Sequence, residues 1–223
     1  TGGTINLDAG LSGATTFGLT VTGALDVDTT ALSDLTTLSV SGVSDLGADV
    51  TTSGTQVYTG AVTVSGATVN LTGSSVQFVS GVSGSGGTEN LDITGVLDLD
   101  GAATGLATFD VTGASNLGAD VNATGDQVYG GLVTLSGADR TLTGGTINLD
   151  AGLSGATTFG LTVTGALDVD TTAITDLTTL SVSGASDLGA DVTTSGTQVY
   201  TGAVTVSGAT VNLTGSSVQF VSG

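Results

Sequence analysis

A parallel β-helix, an all-β solenoid with coils of about 18 residues, is the fold that the sequence predicts. Three observations predict it: a short internal repeat, apolar residues that alternate with polar ones, and the absence of proline from all 223 residues. In the alternating stretches, residues such as Leu91, Ile93 and Leu97 would share one side of an extended chain. No stretch repeats apolar residues with a helical period, so we expect essentially no helix.

The chain repeats itself on two length scales. Residues 1–81 recur as residues 143–223, a shift of 142, with differences only at Leu32/Ile174, Ser33/Thr175 and Val43/Ala185. Half of that shift also matches, because Tyr129 lies midway between Tyr58 and Tyr200 in the sequence. We therefore predict one continuous rod over residues 1–223, with 71-residue units at approximately 1–50 (partial), 51–121, 122–192 and 193–223 (partial).

A finer repeat divides each unit. The motifs NLDITG at Asn90, TFDVTG at Thr108 and GLTVTG at Gly160 align, and they indicate rungs of roughly 15 to 19 residues, four to a unit. The alternative is a row of antiparallel β-sandwich domains, one per unit. This short repeat within each unit favours the β-helix. Each coil of a β-helix must close after a similar number of residues, whereas the strands of a sandwich need not repeat one another.

Stacked coils would bury their matching apolar residues in columns, and this stacking would stabilise the fold. The residues predicted to be buried are Leu91, Ile93, Phe109, Val111, Leu161, Val163, Leu180 and Val182. The absence of proline agrees with this, because each inner coil uses its backbone donors on both sides. Glycines at rung corners, Gly95, Gly113, Gly165 and Gly184, suit bends that need positive φ.

The composition argues against several classes of function. The chain has no His and no Cys, so it has no imidazole base, no thiolate and no soft metal ligand, and we predict no enzyme activity and no cofactor. Its formal net charge of −19, with Arg140 as the single basic residue, would repel nucleic acid. No apolar run approaches the roughly 20 residues of a membrane span, so we expect no membrane insertion.

Paired aspartates recur in the sequence and are the obvious candidate ligands or acid–base groups. The pairs are Asp26 with Asp28, Asp98 with Asp100, and Asp168 with Asp170. Calcium needs six to eight oxygen ligands gathered by a loop, and the glycine-rich nonapeptide of calcium-binding β-rolls is missing, so we predict no dedicated calcium or other metal site. Because the pairs repeat from unit to unit, they indicate a solvated acidic surface and not one catalytic centre.

Three further sets of residues need an interpretation. Glutamines 56, 127 and 198 precede the three tyrosines by two positions and fall in columns that hold apolar residues elsewhere, so we expect both to point inward and pack. Arg140 takes the position of Val69 and Val211, so it must reach outward or pair with Asp139. The sequons at Asn70, Asn122 and Asn212 are read as chance occurrences.

The run from Gly125 to Gly152, GDQVY-GGLVTLSG-ADRTLTG-GTINLDAG, resembles the repeats of giant bacterial surface adhesins, which are similar to filamentous haemagglutinin-type exoproteins. The resemblance extends over the whole chain. It implies a right-handed β-helix, an extracellular location at the cell surface, and a role in adhesion, biofilm or a surface filament. The amino-terminal secretion domain of that family does not occur in this sequence.

We therefore expect a structural filament or an adhesin stalk. The alternative is a binding module that recognises carbohydrate or protein through a repeated outer face, which exposed aromatic ladders would indicate. The expected partner is the protein itself, end to end or laterally, because the first and last coils have no polar cap. We expect the polypeptide to continue in both directions, or copies to join end to end.

Overall fold

The computed structural model describes residues 3–12 and 17–221, which form 28 β-strands and no helix. All strand pairings among these residues are parallel, and the strands wind into a right-handed β-solenoid of about 11 turns. The predicted fold is confirmed, and the alternative of antiparallel sandwiches is wrong. With no helix in the described residues, none of them belongs to a helix that could span a membrane.

The strands are short because each one covers a single side of the coil, and the longest ones bend around a corner. In chain order, β1 to β28 are Thr4–Asn6, Leu11–Ser12, Leu19–Val21, Ala24–Val27, Leu32–Leu35, Leu38–Val40, Ser44–Leu46, Val50–Thr52, Thr55–Tyr58, Val62–Val64, Thr68–Phe78, Val82–Gly84, Asn90–Leu99, Ala103–Leu106, Thr108–Val111, Ser115–Leu117, Val121–Ala123, Gln127–Tyr129, Val133–Leu135, Arg140–Leu149, Leu153–Val169, Ile174–Val182, Ser186–Leu188, Val192–Thr194, Thr197–Tyr200, Val204–Val206, Leu213–Thr214 and Ser217–Phe220.

Each coil has three sides. Starting from Thr55–Tyr58, the chain turns through Val62–Val64 and the first half of β11 before residues 75–78 return to pair with Thr55–Tyr58. The length of a coil varies along the rod. Asn90 pairs with Thr68 in the coil before it and with Thr108 in the coil after it. The coil from Thr68 to Asn90 is longer than the coil from Asn90 to Thr108, because the corners between the strands hold different numbers of residues.

The inward residues of successive coils form continuous columns. All eight residues predicted to be buried are 2% exposed or less, so that prediction is confirmed. The columns mix residue types, as in Val40, Tyr58, Phe78, Leu99 and Leu117, which pair in that order. The coils therefore pack unlike side chains on one another and do not place Leu only on Leu.

The 71-residue unit does not contain a whole number of coils. From Tyr58, three successive pairings lead to Leu117. The fourth coil closes only at Leu135, the partner of Leu117, and Tyr129 lies two-thirds of the way from Leu117 to Leu135 along the chain. One unit thus spans about three and two-thirds coils, and the expected division into four rungs is wrong.

Equivalent residues of successive units therefore lie on different sides of the rod. Tyr58 pairs with Val40 and Phe78, Tyr129 with Val111 and Leu149, and Tyr200 with Val182 and Phe220, in three separate columns. We name the three sides the Tyr58 face, the Tyr129 face and the Tyr200 face. Each additional unit moves a feature to the next face.

The corner glycines have two different roles. Gly95 and Gly165 have φ of +136° and +141°, a region that favours glycine. Positive φ is not found at Gly113 and Gly184, where that part of the prediction is wrong. A Cβ at either of these two would instead collide with the backbone carbonyl of Gly95 or Gly165 in the coil below. The glycines stack because the coils approach closely at the corners.

Candidate functional site: an acidic ladder on one face

The three predicted aspartate pairs are on three different faces and do not form one row. Asp26 is beside Asn6 and Asp45 on the Tyr200 face, and Asp98 is beside Gln77 and Asn116 on the Tyr58 face. The remaining pair is on the Tyr129 face, where Asp168 is part of a longer row of polar side chains. The separation follows from the one-third turn between units.

That longer row, which we call the acidic ladder, runs along the outside of the Tyr129 face. It consists of outward residues that pair from one coil to the next: Asn70, Asp92, Asp110, Val128, Asn148, Asp168, Asp187 and Thr205. Asp92 pairs directly with Asp110, and Asp168 with Asp187. Like charges that face each other on neighbouring strands repel, so the ladder destabilises the rod at neutral pH.

The electrostatics of the ladder agree with its geometry. Burial raises the pKa of Asp92, Asp110 and Asp168, and neighbouring carboxylates raise it further. Asp150, two positions after Asn148, has its pKa raised by burial first and then by its hydrogen bond with Asp170. The charged state of these groups is therefore disfavoured in the folded chain.

Several oxygens of the ladder are buried and lack hydrogen-bond donors. Within the described residues, Asp110 Oδ1, Asn148 Oδ1 and Asp187 Oδ1 have no hydrogen-bond partner. Beside Asp110, a shallow groove of about 250 Å³ is lined by Val128, Gly130 and Asp150, among others. Over residues 3–12 and 17–221, no three acidic side chains converge in a way that could hold a metal ion.

The equivalent row one unit earlier has a different chemical character, and we call it the sister ladder. It lies on the Tyr58 face, and the part of it that corresponds to the acidic ladder consists of Thr20, Ser39, Val57, Gln77, Asp98, Asn116 and Thr134. Its single aspartate is held by amides: Gln77 Nε2 donates to Asp98 and Asp100 at 3.0 Å each, and Asn116 Nδ2 donates to Asp98 at 2.9 Å.

The pair of Asp26 and Asp28 belongs to a smaller acidic cluster. On the Tyr200 face, a hydrogen bond with Asp8 raises the pKa of Asp28, and the charge of Asp26 adds to this effect. The row continues through Asp45 to Thr63, so its acidic part is shorter than the acidic ladder.

The glutamine–tyrosine pairs form a repeated clamp inside the rod. Gln56 Nε2 donates to the carbonyls of Val50 and Thr72, at 3.0 and 2.9 Å, and Tyr58 Oη donates to Gln56 Oε1 at 3.0 Å. The same three bonds occur at Gln127 and at Gln198. All six side chains are fully buried, which agrees with the packing interpretation. Each clamp ties a corner of one coil to a corner of the next.

Arg140 does not pair with Asp139. Its guanidinium donates to the carbonyl of Ser136 through Nε at 3.1 Å and Nη2 at 2.5 Å, while Asp139 accepts from the backbone N–H of Gly160 at 2.8 Å. Arg140 is half-buried and pairs with Leu161, so it folds back over its own turn instead of filling the column as Val69 does. Its role is local.

The sequon asparagines are all exposed. Asn70 and Asn212 each donate through Nδ2 to the carboxylate of Asp49 or Asp191 one coil below, at 3.0 and 3.1 Å. These bonds fix two of the three side chains against the coil.

Sequence reasoning did not single out Glu89, the only glutamate of the chain. Three backbone N–H groups, of Gly86, Gly87 and Thr88, donate to its Oε2 at 2.8 to 3.1 Å and lower its pKa to about 2, although burial opposes the shift. Phe159 stands at the equivalent position of the next unit. The signal that could have identified Glu89 is this exchange of an aromatic residue for a carboxylate.

Comparison of the chain with protein-family models, with curated proteins and with solved structures finds no match.

Proposed function

We propose that the protein is a structural β-solenoid, a segment of an extracellular filament or adhesin stalk at a bacterial cell surface. The observation that carries the proposal is the uninterrupted coil-on-coil stacking, in which the same interior columns run through about 11 turns. Such a rod gains length with each coil while its cross-section stays constant. The acidic exterior favours solubility and discourages unspecific association of neighbouring rods.

Stacking can continue beyond the described coils. Phe78 and Phe220 are equivalent residues in the sequence QVY…SSVQF and stack on Tyr58 and Tyr200 at the same ring distance of 5.5 Å. Phe78 is fully buried because Leu99 covers it, whereas Phe220 is 55% exposed. We propose that a further coil, of the same polypeptide or of a second copy, covers Phe220 as Leu99 covers Phe78.

A binding module with a repeated aromatic face is less well supported. The three tyrosines, which would be the natural sugar-stacking platform, are fully buried. The resemblance of the repeats to those of surface adhesins is in keeping with a stalk.

Small-angle X-ray scattering of the chain and of a variant with one extra 71-residue unit tests the proposal. We expect the rod to lengthen by about 18 Å, from three and two-thirds coils of about 4.8 Å each, with no change in cross-section. Gly113→Val is the control, because its side chain would collide with Gly95 and disturb the stacking. An extended chain with a thicker cross-section or an unchanged length contradicts the proposal.

A further inference from the structure

The number of 71-residue units between two equivalent residues determines whether they lie on the same face of the rod. Because one unit covers about three and two-thirds coils, the same sequence reappears a third of a turn around the rod axis. Three units close a whole number of coils, eleven, and return a feature to its original face. This inference rests on the proposed stalk function and specifies the geometry of that stalk.

The three clamps supply the evidence inside this chain. Val57, Val128 and Val199 are the outward residues between each buried glutamine and tyrosine, and each is one unit further along the chain than the last. Val57 belongs to the sister ladder and Val128 to the acidic ladder, and these rows share no member. Identical motifs in successive units thus already lie on separate faces.

The acidic ladder obeys the same rule. Asp168 and Asp187 of the ladder come from the motifs ALDV and SDL of one unit. Asp92 and Asp110 come from the motifs NLDI and TFDV of the preceding unit. Only the fractional number of coils brings these four motifs onto one face. The equivalent row after it, on the Tyr200 face, has no carboxylate among its described members, Thr141, Thr162, Ser181, Val199 and Gln219.

We infer that the rod is a screw in which each unit adds about 18 Å of length and one-third of a turn. In a longer rod with the 142-residue period, successive acidic ladders would appear on successive faces, about 35 Å apart along the axis. A lateral neighbour that contacts one face, such as a second copy of the rod, would meet an equivalent position at every third unit, and a second acidic ladder only at every sixth unit. Adding or removing a single unit would turn whatever the stalk carries toward another side.

Distances between spin labels test the screw directly, and the absence of cysteine from the chain makes the labelling specific. The first doubly labelled variant is Val57→Cys with Val128→Cys, and its matched control is Val57→Cys with Thr134→Cys. Thr134 is four coils above Val57 on the same face, about 19 Å away along the axis. We expect the pair at 57 and 128 to be further apart, although it is closer in sequence and along the axis. A shorter distance for 57 and 128 overturns the screw.

A chain extended by one unit tests whether the rule continues. It contains a fourth equivalent valine, three units after Val57, and we expect a purely axial label distance of about 53 Å between these two. If the extended chain does not lengthen as a rod, the stalk proposal fails. If it lengthens as expected but the label distance is well above the axial value, the stalk stands and the one-third turn is wrong.

Discussion

The acidic ladder and the sister ladder occupy equivalent positions of successive units, yet they differ in charge. The acidic ladder contains Asp92, Asp110 and Asp187 where the sister ladder contains Thr20, Ser39 and Asn116. Both rows lie over the same kind of interior, with a glutamine–tyrosine clamp behind each. The difference teaches that the interior defines the fold and leaves the outer residues free to vary in charge.

Substitutions in the glutamine–tyrosine clamps should have the largest effect on stability. They test whether the interior behind the acidic ladder is as stable as the interior behind the sister ladder. Gln56→Met and Gln127→Met keep the side-chain volume but leave two carbonyls and a tyrosine hydroxyl without their buried partner. We expect each variant to lose about 3 kcal/mol of stability, since an unsatisfied buried polar group costs about 1 to 3 kcal/mol. Urea unfolding followed by circular dichroism measures this.

The two losses should agree within about 1 kcal/mol, because the same three hydrogen bonds are lost in each clamp. A much larger loss for Gln127→Met would mean that the acidic ladder weakens the interior behind it. The two units would then differ in their interiors as well as on their surfaces.

Exchanging the ladders is the second test. The triple variant Asp92→Thr, Asp110→Ser, Asp187→Asn gives the acidic ladder the side chains of its sister and removes both directly facing carboxylate pairs. We expect the free energy of unfolding at pH 7 to rise by about 1 kcal/mol, from two unfavourable cross-strand pairs. The reverse change, Thr20→Asp with Ser39→Asp, should lower it by a smaller amount. Stabilisation by both changes would contradict the repulsion argument.

The third test is the dependence of stability on pH. The raised pKa values of Asp92, Asp110 and Asp168 mean that the folded chain holds these protons more tightly than the unfolded chain. The stabilisation of the folded chain that results is fully present below the ordinary aspartate pKa of about 3.9, and it is lost as the pH rises through the pKa values of the folded chain. We therefore expect stability to increase on mild acidification, and to increase less in the triple variant.

Glu89 affects the pH dependence of stability in the opposite direction, because its pKa is lowered and those of the aspartates are raised. Its contribution can therefore be separated from theirs. Its pKa of about 2 means that its contribution is present above about pH 4.3 and is lost as pH falls through about 2. Stability should thus pass through a maximum in mild acid, and Glu89→Gln should remove the decline below it. Thermal unfolding between pH 2 and pH 7 measures both limbs, and a monotonic curve in the native chain would count against this assignment.

The smallest expected effect concerns divalent cations. Because the described carboxylates do not converge as a metal cage, calcium should act on the ladder only by screening. We expect a chelator to change the melting temperature slightly, and added calcium to raise it more in the native chain than in the triple variant. A large loss on chelation would reveal a dedicated site.

Much of the fold could be predicted from the sequence, and less of the site. The alternation around Leu91 and Ile93, together with the short repeat, was sufficient for the parallel solenoid and for the buried columns. The inward glutamines and tyrosines followed from their place in those columns. Asp110 and Asp187 were missed because each stands alone in its motif, and their neighbours in space belong to other coils.

The sequence by itself determined the strands, their inward and outward sides, and the repeat, because alternation with period two is a local property of the chain. Tertiary structure alone decided how many coils one unit fills, since coil length depends on how the corners close and on the bulges between strands. That fraction, three and two-thirds, determines which aspartates meet on one face. The acidic ladder is therefore a product of the winding of the chain, and no single motif contains it.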